Sequence, residues 1–180
     1  MKLFINFLTI SRILLGPIIF ILILYWEAFM ASLLLFLFAS ISDYFDGALA
    51  RKYDLSSSLG EVLDPIADKI LVLFMLFALS LHFSSIYIGF ISCLMLAREF
   101  WVSALRDLNA RNLNTSATKV SFMAKIKTTI QLSAVGLYLL GLSYDIVFML
   151  FLGDFVLFIA LIIGLKTGLT YSLKTFSNFS

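Results

Sequence analysis

The chain has little of what a water-soluble, disulfide-stapled or disordered protein needs. Its 180 residues include one cysteine, one histidine, two prolines and 9 glycines, and only 13% are charged. One cysteine, Cys93, excludes an intrachain disulfide framework. Its place in the apolar run 91–96 reads as a packed thiol. So few prolines and glycines exclude a collagen-like or low-complexity chain. The scarcity of charge excludes a soluble domain, which needs far more polar surface. No polar stretch is long enough for a separate soluble domain, and no internal repeat is visible. Neither composition nor the formal net charge of +2 suggests a nucleic-acid partner.

What the chain has is apolar length. Hydrophobic residues make up 62% of it, and its mean hydropathy is +1.05. A bilayer core about 30 Å thick takes about 20 helical residues per span, so the chain holds about six spans. The expectation is an all-α, polytopic membrane protein: one domain over residues 1–180, with six transmembrane helices. A short amphipathic juxtamembrane helix, residues 1–10, leads into spans at 11–25, 29–51, 61–81, 86–110, 121–141 and 145–168. The apolar N-terminus has no small-residue cleavage site after it and reads as retained sequence. Lys2, Arg51, Lys52, Arg106, Arg111, Lys119 and Lys174 fall at the termini or in alternate connectors, and the other three connectors hold no Lys or Arg. By the positive-inside rule both termini face the cytosol, which in a bacterium means a multi-pass inner-membrane protein.

Charges inside such spans are expensive, about 2.5–3.5 kcal/mol each on insertion scales, so they are candidates for function. Asp43 and Asp46 fall near the cytosolic end of the second span, and Asp64 and Asp68 near the cytosolic start of the third. Spacings of three and four put each pair on one helix face. The two spans are expected to be antiparallel neighbours, which lets the pairs face each other at one depth. Four clustered carboxylates repel unless neutralised. Oxygen-only donors select hard cations, and two divalent ions, magnesium first and manganese next, balance four aspartates. Gly47 and Gly60 lack the Cβ that would keep a ligand from the backbone. Ala50 keeps the groove narrow, Arg51 can fork onto a diphosphate, and Ser57 offers a hydroxyl. Taken singly, a helix-end aspartate, a packing glycine or an anchoring arginine would be unremarkable.

Together, Asp43, Asp46-Gly47, Ala50-Arg51, Gly60, Asp64 and Asp68 stand at the spacing of a known signature. The chain resembles the CDP-alcohol phosphotransferase family at every fixed position of it. The resemblance implies displacement of CMP from a CDP-linked donor by an alcohol. It implies metal ligation by Asp43, Asp46 and Asp64, and by Asp68, which also serves as general base. It implies binding of CDP-diacylglycerol by Gly47, Ala50, Arg51, Ser57 and Gly60, with Asn6 and Thr9, and a homodimer in which each protomer holds its own cytosol-facing site. Asp54 and Leu59 depart from the usual Asn and aromatic, off the fixed positions.

Other blocks resemble the family's members that use sn-glycerol 3-phosphate. They are Asn6, Leu8, Thr9, Arg12 and Pro17; Leu63-Asp64-Pro65; Ala67-Asp68-Lys69; Ala97-Arg98-Glu99; Ser103 to Arg106; and Lys125 to Thr129. An acceptor that carries a phosphate needs cations, and Arg98, Arg106, Lys125 and Lys127 are the candidates. Glu99 beside Arg98 reads equally as half of a structural ion pair. Inositol phosphate, serine and phosphatidylglycerol remain open as acceptors. A divalent-metal transporter remains a rival from another class, although it would spread its carboxylates through the membrane's depth. His82 reads as interfacial, and Asp154 has no motif.

Overall fold

The computed structural model describes residues 2–53, 58–111 and 122–177; the side chains of residues 2–8, 43–53, 58–62, 64, 65, 68 and 122–125 lie outside that description. The described residues form six helices and no strand: α1 Lys2–Leu24, α2 Phe29–Tyr53, α3 Ser58–His82, α4 Ile86–Arg111, α5 Phe122–Tyr144 and α6 Val147–Phe176. The expected lead-in helix is not separate. α1 runs unbroken through residues 2–24, because nothing between Ile10 and Ser11 interrupts a helix. α6 is longer than its expected span. Its 30 residues rise about 45 Å, more than a bilayer core of about 30 Å requires.

The bundle is inside-out relative to a soluble one. Leu14, Ile18, Leu34, Phe38, Phe90, Phe100, Phe151, Phe155, Leu169 and Leu173 all face outward. Thr9, Arg12, Arg98, Asn109, Lys127 and Gln131 are buried. An exposed surface of that kind suits lipid, not water. α4 and α6 are each long and apolar enough to cross a membrane. Cys93 faces outward and not into the core, since it lies off the α4 stripe Ile88, Ile91, Ser92 and Met95.

Three tight hairpins join α1 to α2, α3 to α4 and α5 to α6. Each turns on one non-glycine residue in the left-handed region: Glu27 at φ 47°, Ser84 at 49° and Asp145 at 54°. Backbone bonds such as Ser85 N–H to Ser80 O, 2.9 Å, and Ile146 N–H to Gly141 O, 2.9 Å, close the preceding helices. These are the three connectors without Lys or Arg. Beneath them lies one continuous apolar core that includes Ile19, Ile23, Phe36, Met75, Leu79, Tyr138 and Leu157.

α1 packs on α2 and α3, α5 packs on α2, α3 and α6, and α4 packs on α3 and α6. Among the described residues, α2 and α3 do not touch directly, and α1 and α5 each bridge them. α1 runs parallel to α3. A Cβ on Gly16 would stand 3.5 Å from the Cα of Leu71 and 3.3 Å from Phe74, so glycine permits this close approach. One turn on, Phe20 meets Phe74 and Phe77, with ring centroids 5.9 Å apart in both pairs.

Candidate active site

α2 and α3 bring the four aspartates toward the end of the bundle away from the hairpins. Only residues 54–57 separate the two helices, so Tyr53 and Ser58 lie at most about 18 Å apart. At 1.5 Å per residue, Asp46 is about 10 Å back from the end of α2 and Asp64 about 9 Å into α3. Asp43 and Asp68 are each about 15 Å from the same ends. Two carboxylate pairs thus stand at matching levels on helical backbone. A hard divalent cation fits this donor set of four carboxylates. The side chains of Asp43, Asp46, Asp64 and Asp68 lie outside the described residues, as do those of Gly47, Ala50, Arg51, Gly60, Asn6 and Lys125; Ser57 lies outside altogether. Thr9 is described and fully buried, on the face of α1 that also carries Arg12, Gly16, Ile19 and Ile23.

A second group of charges is described in detail. Glu99 on α4 gathers three cations. Arg98 Nη1 donates to its Oε1 at 2.7 Å, Lys127 Nζ from α5 donates to the same oxygen, and Lys69 Nζ from α3 lies 3.7 Å from Oε2. Lys69 also donates to Ser103 Oγ at 3.0 Å. One carboxylate against three cations leaves a surplus of +2. Lys69 follows Asp68 directly, so this surplus adjoins the carboxylate helix.

The cations differ in how firmly they are held. Arg98 is tied to α6: Nε donates to Gly164 O at 2.9 Å and Nη2 to Thr167 Oγ1 at 2.7 Å. Lys127 packs its stem over Gly164, with a contact of 3.5 Å to the place a Cβ would take. The cleft between Arg98, Lys127 and Gly164 holds about 10 Å³, room for about one water. Lys69, 39% exposed, is the most open of the four groups.

The structure separates the expected acceptor residues into two places. Arg98 and Lys127 meet at Glu99. Arg106 lies two turns further along α4, where it stacks 5.3 Å from the centre of the Tyr171 ring and donates to its hydroxyl at 3.4 Å. Further ties from α4 to α6 run from Trp101 Nε1 to Ser172 Oγ, 2.8 Å, and from Asn109 Nδ2 to Thr175 Oγ1, 2.8 Å. Sequence reasoning missed Lys69. The available signal was a cation one residue past Asp68 at the start of an apolar run. Asp154, which had no motif, accepts a hydrogen bond of 2.6 Å from Tyr138, near the hairpin end.

Known proteins resemble this chain along most of its length. The family described as CDP-alcohol phosphatidyltransferase matches residues 3–166. A protein of Rickettsia bellii named CDP-diacylglycerol–glycerol-3-phosphate 3-phosphatidyltransferase is 42% identical over 171 residues, 92% of this chain and 91% of its own. A Rickettsia typhi protein of the same name is 40% identical over 170 residues, 92% and 93% of the two chains. An Escherichia coli K12 protein of that name is 39% identical over 132 residues, 71% of each. A profile that covers most of the chain and relatives this similar along nearly its whole length leave one assignment: the chain belongs to the CDP-alcohol phosphatidyltransferase family.

Proposed function

We propose that this chain transfers a phosphatidyl group from CDP-diacylglycerol to sn-glycerol 3-phosphate, giving phosphatidylglycerol phosphate and CMP. The names of its relatives support the reaction. The observation that carries the acceptor is the cluster of Lys69, Arg98 and Lys127 on Glu99, whose surplus of +2 stands one residue from Asp68. A phosphate monoester brings nearly two negative charges, and charge-assisted hydrogen bonds to lysines offset them. Serine carries no phosphate and has no use for this surplus.

In the reaction, the primary hydroxyl oxygen of the acceptor forms a bond to the phosphorus that carries diacylglycerol. The bond from that phosphorus to the bridging oxygen breaks, and CMP leaves with the electron pair. Asp68 takes the hydroxyl proton. Lys69 and Lys127 hold the acceptor phosphate, with Arg98 as a fixed charge behind them and Lys125 and Arg106 along its approach. Arg51, Ser57, Gly47, Ala50, Gly60, Asn6 and Thr9 receive the cytidine diphosphate. Two divalent cations, magnesium or manganese, held by Asp43, Asp46, Asp64 and Asp68, would neutralise the diphosphate and lower the pKa of the attacking hydroxyl.

This reading places all six helices across a cell membrane, with both termini and the site on the cytosolic side and a homodimer as the working unit. The outward apolar surface and the cation-free hairpins support it. The test is CMP release from CDP-diacylglycerol in detergent micelles with a panel of alcohols. Glycerol 3-phosphate is expected to dominate, and excess chelator to stop release until magnesium returns. Preference for serine, or full turnover in chelator, would sink the acceptor or the metal respectively.

A further inference from the structure

Arg12 is the largest fully buried side chain among the described residues, at 0% exposure. A lone buried guanidinium is too costly to persist, so it must face negative charge. It is engaged and not free. Its helix contacts only α2 and α3 among the described residues, so the partner is sought there.

The backbone register narrows the choice. Gly16 is level with Leu71 and Phe74 of the parallel α3, so Arg12, one turn earlier, is level with residues 67–70. On the antiparallel α2, the position equally far from the turn is Ile41, two residues from Asp43. The charged residues within about 8 Å of rise from these levels are Asp43 and Asp46 on α2 and Asp64, Asp68 and Lys69 on α3. Lys69 is directed to Ser103 and Glu99 on α4. The other charged residues at these levels of the sequence are aspartates, on both helices.

We infer that Arg12 is the internal counter-ion of the four-aspartate site, a positioning residue that holds the carboxylates of α2 and α3 together and sets the site's charge. The inference rests on the proposed metal reading in one respect only. Four carboxylates and one guanidinium carry −3, and two divalent cations bring the sum to +1. That surplus favours a diphosphate, whereas the aspartates and cations alone sum to zero.

The deciding experiment is a double-mutant cycle in metal-free protein, which needs no metal chemistry. Thermal unfolding in detergent with chelator would be compared for wild type, Arg12→Gln, Asp68→Asn and the double variant. Arg12→Gln is expected to lower the midpoint strongly, and the double variant to lie well above the sum of the single losses. Additive losses would overturn the inference. If Arg12→Gln does not fold, the double variant is expected to fold, and its failure would overturn the inference too. Manganese binding, read by electron paramagnetic resonance, adds a signature that a merely structural role lacks. Removing a nearby cation should tighten manganese binding to Arg12→Gln on the order of ten-fold, while Arg12→Lys stays near wild type. Weaker or equal binding by Arg12→Gln would count against the inference. A wild type that binds no manganese would fell the metal reading and leave the cycle to judge Arg12 alone.

Discussion

The two charged regions of the bundle solve opposite problems. On the α1–α3 side, the proposed site sets four aspartates against one buried cation, Arg12, and the sum is negative. On the α4–α6 side, three cations are gathered around one half-buried carboxylate, Glu99, and the sum is positive. In each, a single group of opposite sign lowers the cost of crowding like charges in an apolar bundle. In the proposed reading each also keeps a surplus for its ligand: negative for metal ions, positive for phosphate. Lys69 and Asp68 are chain neighbours, so in that reading the two surpluses meet on α3, where an anionic acceptor would approach a metal-bound donor. The contrast with the hairpin end is as instructive. There a single carboxylate, Asp154, accepts a hydrogen bond from a neutral donor, the Tyr138 hydroxyl.

The comparison can be broken at three places. Asp68→Asn removes the proton acceptor and should cut kcat by about 10²–10⁴, with the KM for CDP-diacylglycerol little changed. Steady-state kinetics in both substrates checks it, and wild-type turnover would remove Asp68 from the chemistry. Lys127→Met should raise the KM for glycerol 3-phosphate by about 10- to 100-fold, the worth of one charge-assisted hydrogen bond, and leave the donor KM near its value. A rise in donor KM instead would move the cation cluster to the other substrate. The smallest effect belongs to the hairpin end. Tyr138→Phe should cost about 1 kcal/mol of stability, seen as a lower unfolding midpoint in detergent with unchanged KM for both substrates. A shift in either KM would show that Asp154 is coupled to the site.

Much of this arrangement could be read from the sequence. Apolar length gave six helices, because a bilayer-scale helix needs little more than composition and charge punctuation to be recognised. The aspartates stood out because charge inside an apolar run is rare. Arg98, Glu99 and Lys127 were visible for the same reason, and the ion pair between Arg98 and Glu99 was anticipated. The sharing of Glu99 was not. Lys69, Glu99 and Lys127 come from three helices, and no local spacing encodes which side chains from different helices converge. Nor did sequence show that Arg98 is bound to Gly164 and Thr167, or that Arg106 stacks on Tyr171, since both depend on the crossing of α4 and α6. Cys93 was misplaced because an apolar run that is apolar all round has no readable inward face. Arg12 resembled a family block, and its burial between two acidic helices emerged only from the register of α1 on α3.

The central claim is that negative and positive surpluses meet on α3 to join a CDP-linked lipid to a phosphorylated alcohol. The most direct test supplies purified protein with magnesium, CDP-diacylglycerol and radiolabelled sn-glycerol 3-phosphate, and follows label and CMP together. Label is expected to enter the lipid phase mole for mole with CMP. CMP released without labelled lipid, or no release when glycerol 3-phosphate is the sole acceptor, would contradict the claim.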